Sequence, residues 1–373
     1  MTYSKSALIA LASASAIAMT GCGSSSSTPT DPVDPTEPVN PRADIAECTS
    51  YTIPAEKVLA GDITTCTELD SASVWTIDGL VAVKGTTLKI QPGTTIVGLD
   101  GTGDATSYMI IDIDAKIMAE GTVDAPIVFR GEAGAGYGEW GGLTVIGNAT
   151  NDQVNAYEVN TAYGPTDFVD LADNSGVLSH VKILNSGITM AEDKEINGLS
   201  LIAVGTETQI NDITVDNSDD DGVEIWGGTV NLTNVTITNC TDDYFDIDDG
   251  YNGTVKNLTI TQETLGNAAI EMSGDTAATF DGFTITQNYS DKEGGIFFKK
   301  DGIGGHFMNG TVTDNNMEGE EAGAIYSQGI AETDNISFEN VTLNGTSTED
   351  RFTGESAAEL EAEFNAGTGN IAD

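Results

Sequence analysis

Short runs of alternating apolar and polar residues, each closed by Gly, Asn or Asp, fill the chain from about Ile77 to Leu343. Alternation with a period of two marks strands that bury one face. In the second half the runs share a core: HVKIL around Ile183, DITVD around Val215, NVTIT around Ile237, NLTIT around Ile260, GFTIT around Ile285, GTVTD around Val312 and NVTLN around Leu343. The pattern points Ile213 and Val215 inward and Thr214 outward, and repeats this in each run. A second strand follows five of them, at Val223–Ile225, Phe245–Ile247, Ile270–Met272, Ile296–Phe298 and Ala324–Tyr326. Earlier runs, such as Leu80–Val83, Leu88–Ile90, Ile127–Phe129 and Leu143–Ile146, are less regular.

Two of these units are nearly the same sentence written twice. Asp212–Gly228 and Asn234–Gly250 align at an offset of 22 residues, with Asn217 on Asn239, Asp220 on Asp242, Asp221 on Asp243 and Ile225 on Ile247. A glycine-closed, strand-patterned repeat of this length is one turn of a solenoid. Turns of about 22–31 residues are too long for hexapeptide helices and lack the spacing of leucine-rich repeats. The expected fold is therefore all-β: a right-handed parallel β-helix with three short strands per turn, over residues 77–345. Both ends need closing, because an open end shows apolar side chains and unpaired backbone. Residues 44–76 are expected to form the N-terminal cap, stapled by Cys48 and Cys66. A disulfide there closes a loop of about 18 residues and contributes roughly 3 kcal/mol. At the other end, within residues 346–373, Ser356-Ala357-Ala358-Glu359 has capping-box form and opens a short helix over 356–365 with Leu360 and Phe364 on one face.

The first 43 residues read differently. Lys5 precedes a 13-residue small-apolar run, Ala7–Met19, which is the length of a signal peptide and too short for an ordinary membrane span. It leads to Met19-Thr20-Gly21-Cys22, which resembles a bacterial lipobox, so residues 1–21 are expected to be removed and Cys22 lipidated. Gly23 follows where an inner-membrane retention Asp commonly sits, which points to the outer membrane and the cell surface. Prolines 29, 32, 35, 38 and 41 then recur every third residue, the period of a polyproline II helix. Residues 22–43 thus form a stiff tether reaching on the order of 50 Å. Cys240 is left over and reads as a buried thiol.

Charge sharpens the picture. With 59 acidic against 14 basic residues the formal charge is −45, which excludes nucleic acid as a partner and restricts contact with a membrane to the lipid anchor. Eleven carboxylates fall between Asp212 and Asp249, and no Lys or Arg occurs from Glu195 through Val255. Rungs stacked about 4.8 Å apart turn this into columns. Asp220 lies over Asp242, Asp221 over Asp243 and Glu224 over Asp246, with Glu271 next if Ile270 takes the place of Phe245. Carboxylates about 5 Å apart repel by about 3 kcal/mol at an effective dielectric of 20. A hard cation relieves this, and calcium, which takes six to eight oxygens, is the expected cofactor. Its candidate ligands are Asp220, Asp221, Glu224, Asp242, Asp243 and Asp246. Trp226, expected to point outward over Asp248 with Tyr251 on the next turn, offers an aromatic face to a sugar.

The body also resembles a family of secreted or lipid-anchored bacterial β-helix proteins in the pectin-lyase-like superfamily. The resemblance rests on Ile90-Gln91-Pro92-Gly93-Thr94, Ala119-Glu120-Gly121-Thr122, Glu139-Trp140-Gly141-Gly142-Leu143, Ile196-Asn197-Gly198-Leu199, Asp220-Asp221-Gly222-Val223-Glu224 and Gly250-Tyr251-Asn252-Gly253. It implies the fold. Enzymes of the superfamily are lyases, which use calcium and an Arg or Lys base, or hydrolases, which use Asp pairs. The Gly-His-Gly and Arg-Ile-Lys elements of polygalacturonases are missing, and the three arginines, Arg42 in the tether, Arg130 and Arg351, lie away from the acidic rungs. The resulting expectation is a calcium-supported, non-catalytic module binding a glycan or cell-surface partner. The rivals are a polysaccharide lyase or hydrolase using Asp220, Asp243 and Lys299, and a structural surface protein.

Overall fold

The computed structural model describes residues 40, 42, 45, 47–150, 168–191, 194–263, 266–289, 293–299, 303–315, 323–330, 335–345 and 351–372. The leader, Cys22 and the tether as far as residue 39 lie outside them. Among the described residues, 25 strands join one sheet that coils as a parallel β-helix. In its middle, a long strand and a short strand alternate: Gln209–Ser218 with Val223–Trp226, then Asn231–Cys240 with Phe245–Asp248. They stack in register at the expected offset, Val215 on Ile237 and Ile225 on Ile247.

Each long strand turns a corner at its centre. Asp212, Asn234, Asn257 and Asn309 adopt φ of 56°, 58°, 54° and 55° there, a region that Asn and Asp tolerate better than most residues. The bend makes two strand segments of one, which accounts for the expected three per turn. Side chains at the bend form a ladder: Asn234 donates to Asp212 at 3.0 Å, Asn257 to Asn234 at 2.9 Å and Asn340 to Asn309 at 3.2 Å. Ladders of this kind pin the register that alternation alone would let slip.

Inward residues build one continuous core, with Ile213, Val215, Val223 and Ile225 buried as alternation requires. Toward the C-terminus the core becomes an aromatic stack. Phe245, Phe280, Phe307 and Phe338 follow one another with ring centroids 6.0, 5.1 and 5.4 Å apart. Phe364 of the helix Ala357–Ala366 ends the stack, 5.5 Å from Phe338, with Leu360 buried beside it. The helix is where it was expected, but the capping box does not form. The Ser356 hydroxyl instead accepts the Ile330 N–H and donates to the Ile330 carbonyl, both at 3.1 Å. No helix among the described residues is long and apolar enough to cross a membrane.

The N-terminal end departs further from expectation. The Cys48–Cys66 disulfide is present. However, Val58–Ile63 already pairs in parallel with Val74–Val83, so the solenoid begins near residue 58 rather than 77. Arg42 is not part of a free tether. Its guanidinium donates to the carbonyls of Ala115, Asn174 and Ile146 and to Ser175, and meets Asp173 at 2.6 Å. One side chain thus clamps the entering chain across successive turns, with Asp173 wholly buried beneath it. Removing one partner of a buried ion pair leaves the other charge uncompensated. Arg42→Ala should therefore lower stability by about 3–5 kcal/mol in denaturant melts. An unchanged melt would show that the clamp does not hold the body.

Candidate functional site

The acidic rungs meet on the outward face of the short strands. Register places Thr144, Ser200, Glu224, Asp246, Glu271, Phe297 and Tyr326 in one column. Three consecutive carboxylates thus stand between hydroxyls on one side and a stacked aromatic pair on the other. Phe297 and Tyr326 lie 4.9 Å apart.

A second column runs beside it at the corner before each short strand: Asn197, Asp221 and Asp243. Each member receives a backbone N–H from the next rung. Asp221 N–H donates to Asn197 Oδ1 at 3.2 Å, Asp243 N–H to Asp221 Oδ1 at 2.8 Å, and Ala268 N–H to Asp243 Oδ1 at 2.5 Å. These acids are therefore part of the fold's hydrogen bonding. Gly222 follows Asp221 because a Cβ there would come within 2.5 Å of Ile237 and 2.7 Å of the Tyr244 carbonyl. The Asn197 amide also donates to Glu224, and the Asn267 amide to Asp242.

The carboxylates gather in three overlapping groups, Asp220–Asp221–Asp242, Asp221–Glu224–Asp246 and Asp243–Asp246–Glu271, with oxygens within 4.8 Å inside each. Burial first, and the neighbouring carboxylates second, push Asp221, Asp243 and Asp246 well above the ordinary carboxyl range. Asp246 Oδ1 is sealed from solvent without a hydrogen-bond partner. Lys299 answers part of this charge, its Nζ standing 2.5 Å from Glu271. Burial pulls the lysine's pKa down, but Glu271, Asp246 and Asp243 outweigh it and keep the ammonium charged. The all-oxygen donor set suits a hard divalent cation.

The model of a pectate-lyase-like β-helix domain matches residues 61–373. The chain belongs to this pectate-lyase-like family. No curated protein matches its sequence. Among solved structures it is similar to the enzymatically active domain of tailspike protein 2 from bacteriophage CBA120, at 12% identity and a TM-score of 0.39, over 74% of this chain and 39% of that one. An alginate lyase from Paenibacillus sp. FPU-7 matches at 13% identity and a TM-score of 0.31, over 76% of this chain and 92% of that one. The catalytic domain of a GH87 α-1,3-glucanase matches at 13% and 0.33, over 80% and 63% respectively. The chain thus spans less than two thirds of the tailspike and glucanase domains.

Within this pectate-lyase-like frame, the six expected cation ligands converge as the repeat implied, whereas the aromatic platform does not exist. Trp226 points out of the solenoid over Asp248, as register required, but only 2% of it is exposed. It is sealed in an outer apolar layer with Tyr108, Ile146, Ile202 and Ala203, against which Ile188 and Met190 of the hairpin Ile188–Ala191/Lys194–Ile196 pack. Tyr251 is fully buried in the core, where its hydroxyl donates to the Val230 carbonyl at 2.8 Å. Neither ring can take a sugar. Asp248 remains half-buried, its Oδ1 accepting the Asp249 N–H at 2.6 Å. Lys299 lies in the Asp248–Ser273 column as counted, but as the partner of Glu271. Cys240 is buried, and burial pushes its thiol up, which leaves it inert. Neither the Asn197 column nor the Lys299–Glu271 pair is legible in the sequence. Asn197 precedes a strand like any turn asparagine, and the pair closes over 28 residues.

The raised carboxyls set a pH dependence. Between the ordinary value of 3.8 and their folded values these acids hold more protons in the folded than in the unfolded chain. Their contribution is therefore full at low pH and is lost as pH rises through the folded values. Asp221→Asn should raise the melting temperature at about pH 8, in chelator, and do so less at about pH 5. Asn197 shows that an amide fits this column and keeps the N–H acceptor. Calcium should raise the wild-type melting temperature more at about pH 8 than at about pH 5. Equal shifts at both pH values would refute the buried-proton account.

Proposed function

We propose that the protein hydrolyses a polysaccharide at the outward column, with Asp246 and Glu271 as the working pair. One arrangement carries the reading: the Asp243–Asp246–Glu271 group, in which burial and charge hold a proton on an aspartate beside a carboxylate braced by the Lys299 ammonium. Adjacent acids whose environments differ in this way divide into a proton donor and a charged partner. Asp246, half-buried and so within reach, gives its proton to the leaving glycosidic oxygen. Glu271, only 2% exposed, stands behind Asp246 as its charged partner and steadies the positive charge that develops at the anomeric carbon as the glycosidic bond breaks. Water then completes the turnover, returning a proton to Asp246. Asp243, grouped with both, supports the proton balance.

Lyase chemistry fits less well. The lysine at the site is held protonated by Glu271, so it is no base for abstracting a proton. Arg42 is committed to Asp173, and Arg130 donates to the carbonyls of Gly131 and Glu132. The purely binding role loses its main support with the burial of Trp226 and Tyr251. A cation still belongs to the proposal: Asp220, Asp221 and Asp242, a group that leaves out Asp246, would hold calcium, lower the charge of the strip and admit a uronate-bearing glycan it would otherwise repel. Export and anchoring through Cys22 at the outer-membrane surface are supported by the leader's sequence alone. They predict palmitate labelling that Cys22→Ser abolishes.

The decisive measurement is a panel of neutral and uronate-rich polysaccharides, with and without calcium. Reducing ends should appear without unsaturated products, and Asp246→Asn should cut the rate by about 10²–10⁴-fold without lowering the melting temperature. Unsaturated products would hand the site to a lyase. No turnover on any glycan, with calcium-dependent retention of one, would restore the binding role.

A further inference from the structure

The face next to the bend carries a pattern that the acidic site does not use. Register stacks Thr214, Thr236, Thr259, Thr284, Thr311 and Thr342 in one outward column. Two residues along each strand, Thr238, Thr261, Thr286 and Thr313 form a second column, between Asp216 at one end and Asn344 at the other. All ten threonines are exposed or half-exposed. The result is a two-dimensional grid of hydroxyls and methyls, about 4.8 Å apart across the strands and about 6.7 Å along them.

We propose that this grid binds ice. Both spacings lie near repeats of the oxygen lattice of ice. Each threonine supplies a methyl that orders the adjacent water and a hydroxyl that anchors it. The strands pair without a bulge from Gln209 to Asp314, and side-chain ladders of the Asn234–Asp212 type at the bend fix their register. On the far edge Asn315 donates to Asn288 at 3.0 Å, continuing the bracing.

Two features separate the grid from an ordinary exposed strand rich in β-formers. The first is an internal control. The other half of the same long strands is equally outward, yet carries Lys256, Asp281, His306, Met308 and Glu339 in its columns. Exposure and β-propensity act on both halves and produce a uniform grid on one only. The second is charge. On a chain of net charge −45, both columns are free of formal charge from Thr236 to Thr313, as suits a neutral crystal lattice rather than an ionic partner. The turns also lengthen, with successive offsets of 22, 23, 25, 27 and 31 residues, yet both columns keep their place. The added residues have gone to other parts of the turn.

The test uses the full-length chain and ice alone. It should enter a slowly growing polycrystalline ice front and suppress recrystallisation of fine-grained ice. Thr259→Tyr with Thr284→Tyr puts two rings in the middle of the grid, on exposed sites that leave the core untouched, and should abolish both effects. Thr279→Tyr, on the neighbouring half-strand, should keep them, and unchanged circular dichroism and melts would show that every variant is folded. Exclusion of the wild type from ice would overturn the proposal. So would retention of the double variant in ice, or retention of the wild type on microcrystalline cellulose but not ice.

Discussion

Everything in this molecule depends on in-register parallel stacking. Backbone hydrogen bonds set successive rungs about 4.8 Å apart, and from that spacing a linear repeat becomes a set of columns. A column multiplies whatever side chain occupies it. Apolar residues multiplied this way give a continuous core without a globular interior, ending in the Phe338–Phe364 contact. Asparagines give a bracing ladder along the bend. Carboxylates give a strip whose charge cannot relax, because the backbone forbids them to move apart.

That last consequence makes the acidic strip chemically special. Isolated on a surface, Glu224, Asp246 or Glu271 would be an ordinary solvated acid. Stacked between Trp226 with its apolar neighbours on one side and Phe297 on the other, they are desolvated together, and Asp246 is pushed well above the ordinary carboxyl range. Protons, a lysine and a cation become alternative ways of meeting the same deficit. Lys299 serves the end near Glu271, while the leading charges acting on Asp221 are other carboxylates. The strip is therefore polarised along its length, with a lysine at the Glu271 end and a carboxylate cluster that could take a divalent cation at the Asp220–Asp242 end.

The fold was legible wherever a residue's role depended on near neighbours in sequence. The alternation Ile213–Thr214–Val215 declared its inward and outward faces, and the matched offset of Asp221 and Asp243 declared a column. Trp226 shows the limit. Its direction was readable from the same alternation, but its burial depends on a hairpin at Ile188–Ile196 that folds over the outside of the solenoid. Arg42 is a second case: nothing near it in sequence announces Asp173, 131 residues away. Periodicity reveals what a rung does, and it is silent about what covers the rung.

The same distinction bears on how the acids came to be shared between structure and chemistry. Asp221 and Asp243 each commit one oxygen to the N–H of the next rung, a task an asparagine performs equally well at position 197. Structure alone would favour the amide, which carries no charge into a crowded, buried corner. Carboxylates stand there in consecutive rungs all the same, at a cost in electrostatic repulsion, and leave the second oxygen of each outside the ladder, where it could coordinate a divalent cation. The fold supplies the placement, and the excess charge over what the fold requires is what a divalent cation could neutralise.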